Sequence, residues 1–167
     1  MIAEPAIFKI VEFPERRFAY VRHTGPYMGK NELFEDLFTK VKEWAEPMGF
    51  MNIPDMEAIA IYHDHPDLVS EDKQRISVGF TVPLSIKHAE GMVEVTCIPE
   101  GKYAVGHFEI FPDEYEQAWE EMMDFIIDEN LATASGPMYE SYKNDPRTHP
   151  EGKQLVDICV ALEKLNY

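Results

Sequence analysis

The feature that most constrains this chain is an internal repeat. Phe13-Pro-Glu-Arg-Arg-Phe-Ala-Tyr20 reappears 85 residues later as Ile98-Pro-Glu-Gly-Lys-Tyr-Ala-Val105, with the Pro-Glu pair, a basic residue, an aromatic residue and the alanine in register. Two copies of this length are too few and too long for a solenoid, so the repeat predicts two fused half-domains, at about 6–83 and 92–163, that share one core. Fused halves leave a groove between them, and we expect a ligand to bind there.

The length of 167 residues and the hydrophobic content of 45% are typical of a single domain, 1–167, with a full core. The longest apolar runs have the length of strands, and the amino terminus lacks the charged start and apolar stretch of a secretory signal. We therefore expect a cytoplasmic protein without a membrane span. Cys97 and Cys159 lie in apolar strand patterns with no Cys-x-x-Cys pair, which indicates two buried, reduced thiols.

The charge balance limits the classes of partner that the chain can bind. Fifteen basic and 31 acidic residues give a net charge of −16, and no Lys/Arg cluster offsets it locally. We therefore expect no direct binding of nucleic acid. An acidic surface also attracts cations, although salt screens this attraction beyond about 8 Å, and solubility alone is the alternative reason for such a surface.

Hydrophobic periodicity places the elements of the first copy. β-rich segments cover 6–13 and 17–23, and apolar residues then recur at helical spacing until Pro47 and Gly49, which predicts a helix over 30–46. Two further strands are predicted, at 58–63 and 76–82.

The second copy repeats this order. Strands are predicted at 92–98 and 103–111, and a capping box of Asp113 and Glu116 begins a helix that has an acidic outer face. Two more strands follow, at 137–142 and 155–162. Both copies read strand, strand, helix, strand, strand, so the sequence predicts an α+β fold of antiparallel sheets with one main helix per half.

The sequence contains no motif for a nucleotide, a catalytic triad or zinc proteolysis. His63-Asp-His65 is the one local pair of metal-ligand type, because imidazoles two apart share a face of a strand. Asp64 and Pro66 indicate a turn there, however, and the local spacing marks no third ligand. We therefore predict no metal and no cofactor.

The strand Pro137-Met-Tyr-Glu-Ser-Tyr142 offers the more specific chemistry. Met138, Glu140 and Tyr142 point one way, and Tyr139 and Ser141 point the other way. On a solvent face Glu140 would be an ordinary surface acid. In a groove it would be a carboxylate among aromatic rings, whose ionised form is penalised by desolvation unless a cation compensates.

Four segments together resemble the GyrI-like small-molecule-binding family. They are Arg22-His-Thr-Gly-Pro-Tyr27, Ile61-Tyr-His-Asp-His-Pro-Asp67, Gly101-Lys-Tyr-Ala-Val105 and Gly136-Pro-Met-Tyr-Glu-Ser-Tyr-Lys-Asn-Asp-Pro146. The similarity runs in order from about 7 to 162. This family includes the stand-alone DNA gyrase inhibitory protein and the effector-binding domains of AraC-type and MerR-type multidrug regulators.

The resemblance implies a pseudo-two-fold pair of strand-helix-strand-strand modules, the bacterial effector-binding domain fold, with a ligand groove between them. It also implies that Glu140 lies in the groove beside Tyr142, and that His63 is the corresponding position of the first copy, where relatives often carry Tyr. Further candidates for the lining are assigned by position and not by a matched motif: Tyr27, Trp44, Phe80, His107 and Trp119.

We therefore expect a domain that binds a lipophilic, cationic or polycyclic small molecule, with Glu140 as counter-charge and Tyr142 and Trp119 as stacking walls. The family strand begins within a few residues of Met1, which leaves no room for a helix-turn-helix upstream, so we expect either a free-standing protein or a part of a longer regulator. Two alternatives stay open. One is a hydrolase of electrophilic toxins that uses Glu140 and Tyr142, and the other is a protein-binding gyrase inhibitor whose partner is gyrase or a DNA-binding regulator.

Overall fold

The computed structural model describes residues 5–163 and contains the predicted strand-strand-helix-strand-strand order twice. Between the strands and helices, several connections include a single turn of 3-10 helix. The elements, in chain order, are β1 (Ile7–Phe13), β2 (Arg16–Thr24), α1 (Asn31–Ala45), β3 (Ala58–Tyr62), β4 (Arg75–Val82), β5 (Glu94–Ile98), β6 (Gly101–Ile110), α2 (Tyr115–Asp128), β7 (Thr133–Tyr142) and β8 (Gln154–Leu162).

The chain divides into two compact units. The middle unit is Glu15–Pro99, and the terminal unit combines residues 5–14 with residues 100–163. Within the middle unit the strand order is β3-β4-β2-β5, and within the terminal unit it is β1-β6-β8-β7. The strand pairs in both units are antiparallel, which confirms the predicted α+β class with antiparallel sheets.

The repeat did not predict how the first strand of each copy pairs. β1 pairs with β6 of the terminal unit, and β5 pairs with β2 of the middle unit. The chain therefore passes from one unit to the other after Pro14 and again after Pro99, the two prolines of the repeated Pro-Glu pair. Proline has no backbone N–H to give to a sheet, so it suits a point where one strand ends and the next begins.

Among residues 5–163 each unit has one α-helix, and each of these helices packs through an apolar stripe. The buried residues recur every four positions, as expected for one face of an amphipathic helix: Leu37, Val41 and Ala45 in α1, and Ala118, Met122 and Ile126 in α2. In the terminal unit this stripe joins a core with the buried strand residues Ala104, Phe108, Ile110, Val156, Ile158 and Val160.

The predicted start of the second helix needs a correction. Asp113 and Glu116 do not form the capping box. Instead, Glu114 Oε1 accepts a hydrogen bond of 2.7 Å from the Phe111 backbone N–H, and a 3-10 turn over Pro112–Glu114 leads into α2. The proline after Phe111 favours this tighter turn, because it fixes φ at a helical value and has no N–H to satisfy.

No helix among residues 5–163 combines the length and the apolar character that crossing a membrane requires.

Candidate functional site

β7 presents its side chains in alternation to two faces. Met138 and Tyr142 pack against the core beneath α2. Tyr139, between them in sequence, points to the opposite face, where its ring lies 6.0 Å from the Tyr103 ring. Because side chains alternate along a strand, Glu140 shares the face of Met138 and Tyr142 and points toward α2.

The Glu140 carboxylate is buried, with only 3% of the residue exposed. Its Oε2 accepts a hydrogen bond of 2.6 Å from Trp119 Nε1 on α2, and its Oε1 accepts one of 2.5 Å from the Tyr142 hydroxyl. The structure thus brings together the three residues that the sequence assigned to counter-charge and stacking walls. Both oxygens of the acid are held by aromatic side chains, which fixes its position.

Tyr115 is a fourth member of this site that the sequence reasoning missed. It lies one helical turn before Trp119, partly buried against the same core. Burial, and next the negative charge of Glu140, raise the pKa of Tyr115 well above its usual value of 10.0. The missed signal was the four-residue spacing of two aromatic residues on α2, which places both on one face. We call Tyr115, Trp119, Glu140 and Tyr142 the Glu140 cluster.

The arrangement of this cluster is chemically suited to a nearby positive charge. A carboxylate removed from water loses hydration, and a positive charge nearby offsets that loss more strongly than it would in bulk water. Aromatic faces beside it add attraction for the same charge. Tyr115, Trp119 and Tyr142 are each only partly buried.

The strand register corrects the predicted counterpart of Glu140 in the first copy. Tyr62 pairs with Ile76 as Tyr142 pairs with Val156, and two residues earlier Ala60 pairs with Val78 as Glu140 pairs with Ile158. The counterpart of Glu140 is therefore Ala60, not His63.

His63 corresponds instead to Lys143. The His63 backbone N–H bonds the Arg75 carbonyl at 3.1 Å, and the Lys143 N–H bonds the Leu155 carbonyl at 2.8 Å. The prediction was wrong because it took the counterpart from the family resemblance, whereas the pairing with the next strand sets the register.

The two helices differ in the same way as the strands. When the buried stripes of α1 and α2 are aligned, Phe34 is equivalent to Tyr115 and Phe38 is equivalent to Trp119. In the middle unit the acid is thus an alanine, and both helix aromatics are phenylalanines. Only the terminal unit carries a carboxylate with polar aromatic neighbours at these positions.

Three aromatic residues that were predicted as lining lie in the middle unit. Tyr27 is buried, with its ring 5.5 Å from that of Tyr62, and Phe80 is buried 5.4 Å from the Phe38 ring. Trp44 is half-buried against Phe50, and its indole N–H is buried with no hydrogen-bond partner. These residues form aromatic packing around α1, so their role as ligand lining stays a prediction, as does a groove between the two copies.

The two predicted histidines are held by other partners. His107 alternates with Phe108 along β6 and therefore faces away from α2; its Nδ1 lies 2.6 Å from Asp157 Oδ1. His63 Nε2 lies 2.7 Å from Ser77 Oγ, whereas His65 Nδ1 accepts from the Asp67 N–H. Across residues 5–163, no group of three or more His, Cys, Asp and Glu side chains is arranged to hold a metal.

Comparison with known proteins adds to this geometry. The family model described as the GyrI-like small molecule binding domain matches residues 8–163. The chain is 28% identical over 134 residues to DNA gyrase inhibitor 2 of Dickeya dadantii (strain 3937), a match that covers 79% of this chain and 82% of the relative.

Solved structures share the fold at low sequence identity. The C-terminal domain of EcmrR superposes with a TM-score of 0.78 at 16% identity, covering 96% of this chain and 99% of that domain. The structure of SAV2435 bound to tetraphenylphosphonium gives a TM-score of 0.59 at 14% identity, with 94% of each chain covered.

Proposed function

Because this chain belongs to the GyrI-like small-molecule-binding family, we propose that it binds a lipophilic small molecule with a cationic or polycyclic group at the Glu140 cluster. The observation that carries the proposal is the buried carboxylate of Glu140, a residue that is 3% exposed. This carboxylate accepts hydrogen bonds of 2.6 Å from Trp119 Nε1 and 2.5 Å from the Tyr142 hydroxyl. A buried acid in an otherwise apolar core costs folding free energy, which argues for a functional reason to keep it.

Typical interaction energies are consistent with useful affinity. A cation over an aromatic face gains about 0.5 to 2 kcal/mol, and a hydrogen bond to a charged group about 1.5 to 3 kcal/mol. Two or three such contacts, together with burial of apolar surface, suffice for binding near the micromolar level, which requires about 8 kcal/mol. A flat or bulky aromatic cation would use both the charge and the rings.

The structural neighbours guide the choice of probe. SAV2435 was solved with tetraphenylphosphonium, a lipophilic aromatic cation. The same cation is a suitable first ligand because it combines one delocalised positive charge with four apolar rings.

A titration monitored at the two indole N–H groups tests the proposal in the unmodified protein. The chain has two tryptophans, and Trp119 bonds Glu140 whereas the Trp44 N–H has no partner. We expect tetraphenylphosphonium to shift the Trp119 indole resonance with saturation, because a cation near Glu140 changes the acceptor of that hydrogen bond. Binding that shifts the Trp44 resonance alone, or no binding of the cation, would refute the proposal.

A second candidate function is inhibition of DNA gyrase through protein binding. It is favoured by the similarity to DNA gyrase inhibitor 2 and by the net charge of −16, which suits a basic partner surface. A gyrase supercoiling assay with the purified chain tests it. Inhibition that persists in Glu140→Gln would place that activity outside the Glu140 cluster.

A further inference from the structure

Two equivalent trios of polar residues lie on the sheet faces opposite the helices. In the terminal unit the trio is His107, Asp157 and Lys143, and in the middle unit it is Arg22, Ser77 and His63. The register sets this equivalence, because His107 pairs with Asp157 on β8 as Arg22 pairs with Ser77 on β4. The third members occupy matching positions after β7 and β3.

The trio of the terminal unit is compensated in charge. Asp157 Oδ1 lies 2.6 Å from His107 Nδ1, and its Oδ2 lies 3.9 Å from Lys143 Nζ. One carboxylate thus stands between two basic side chains. This is the arrangement expected where two bases converge on a half-buried position.

The trio of the middle unit has the two bases without the acid. Ser77 replaces the aspartate; its Oγ lies 2.7 Å from His63 Nε2 and 3.5 Å from Arg22 Nε. Ser77 is only 2% exposed, whereas Arg22 and His63 are exposed. Within residues 5–163 Arg22 makes no ion pair, and its guanidinium lies over the Tyr20 ring at 5.8 Å.

The other charges around His63 do not remove this excess. Arg75 on β4 is paired with Asp64, which accepts bonds of 3.0 Å and 2.9 Å from its guanidinium. Partial burial of the imidazole, followed by the charges of Arg22 and Arg75, lowers the pKa of His63, and Asp64 opposes this weakly. A pair of bases without an acid is unexpected in a chain of net charge −16, where acids are twice as common as bases.

We propose that Arg22, His63 and Ser77 form a binding site for a small oxyanion, a carboxylate or a phosphate group, which takes the place that the Asp157 carboxylate holds in the other copy. The guanidinium offers paired N–H donors to such a group, the imidazole a third donor and the serine hydroxyl a fourth. The site shares no residue with the Glu140 cluster, so its test is independent of the function proposed above.

The test follows the imidazole resonances of His63 during pH titrations in phosphate, in acetate and in chloride at matched ionic strength. A bound oxyanion favours the protonated ring, so we expect His63 to titrate at higher pH in phosphate or acetate than in chloride. A response to phosphate alone assigns the site to phosphate groups, and a response to acetate alone assigns it to carboxylates. His107 serves as internal control, because its acid is already in place.

Two variants complete the test. Arg22→Gln changes an exposed side chain and should weaken the anion response by about tenfold or more, because the bidentate donor is lost. Ser77→Asp should raise the pH at which His63 titrates even in chloride, and it should abolish the response of His63 to added anions. An identical His63 titration in all three salts, or an undiminished response in Arg22→Gln, would overturn the proposal, and Arg22→Gln decides the question even if Ser77→Asp fails to fold.

Discussion

At the residue scale, Glu140 connects binding to folding, because the side chains that hold its carboxylate also belong to the core. Trp119 packs against the core of the terminal unit and donates to Glu140 at 2.6 Å. Removing this donor leaves a buried acceptor with one partner fewer, and an unsatisfied buried polar group costs about 1 to 3 kcal/mol. The contribution of the Trp119–Glu140 hydrogen bond to stability can therefore be measured in the absence of ligand.

We predict that Trp119→Phe lowers the free energy of unfolding by about 1 to 3 kcal/mol more than Trp44→Phe does. Both substitutions remove a similar ring volume, but the Trp44 indole N–H has no hydrogen bond to lose. Urea unfolding of both variants and the parent measures the difference. Equal losses in the two variants would mean that the Glu140 hydrogen bond adds nothing to stability.

A second prediction at this scale concerns the Cys97 thiol, which donates to Glu15 Oε1 at 2.9 Å. Partial burial, then the hydrogen bond to Glu15, raise the pKa of Cys97 to about 11. The reactive thiolate is therefore scarce at neutral pH, and its fraction grows as the pH approaches that value. The thiol should react slowly although the residue is not fully buried.

We expect the rate of Cys97 alkylation by iodoacetamide to rise about tenfold per pH unit through pH 8 to 10, as a thiol that is still largely protonated requires. Peptide mass spectrometry separates Cys97 from the buried Cys159. Glu15→Gln should accelerate labelling at pH 8, because the carboxylate no longer opposes the thiolate. A rate that levels off near pH 9 in the parent protein would contradict the raised pKa.

At the scale of the elements, two glycines fix how closely strands and helix approach their neighbours. A Cβ on Gly79 of β4 would lie 1.8 Å from the Ala19 carbonyl oxygen, which belongs to the backbone of β2. A Cβ on Gly106 of β6 would meet the ring edge of Phe108 at 2.6 Å and the Met122 sulfur at 3.0 Å. The first clash is with a fixed backbone and the second with side chains that can move.

Gly79→Ala should therefore destabilise the protein by about 3 kcal/mol or more, whereas Gly106→Ala should cost about 1 kcal/mol. Chemical denaturation of both variants gives the comparison. A larger loss for Gly106→Ala would show that the β2 backbone yields more easily than the packing of α2 on its sheet.

Sequence predicted the elements better than their partners. The helical stripe and alternating strands are local patterns, so α1, α2 and the eight strands lie within a few residues of their predicted bounds. The pairing of β1 with β6 is a contact between distant segments, and no periodicity in either strand specifies it. Glu140 was found through strand alternation and the family motif, and Trp119 was assigned by its position, whereas the Ala60 counterpart required the register.

At the scale of the whole molecule, net charge controls which large partners the chain can bind by itself. A charge of −16 repels a phosphate backbone, and the attraction that drives nonspecific binding of DNA needs basic side chains in excess. We predict that the purified chain retains no duplex DNA in a gel shift even at low salt, where electrostatic binding is strongest. A shift that weakens as salt is added would contradict this.

The negative charge of the whole molecule also favours cationic ligands over neutral ones. An acidic surface attracts any cation weakly, so a test of the account must separate this diffuse attraction from the contact with Glu140. Glu120 on the same helix is exposed and supplies the matched control, because Glu120→Gln removes one negative charge without touching the Glu140 cluster.

The most direct test is calorimetry of tetraphenylphosphonium and of the neutral triphenylphosphine oxide with the parent protein, Glu140→Gln and Glu120→Gln. We predict that Glu140→Gln weakens binding of the cation by about 1.5 to 3 kcal/mol, the range for a hydrogen bond or contact with a charged group, and binding of the neutral compound much less. Glu120→Gln should leave both affinities nearly unchanged. Equal affinity of the parent and Glu140→Gln for the cation would contradict the central claim that the buried carboxylate recognises the positive charge of the ligand.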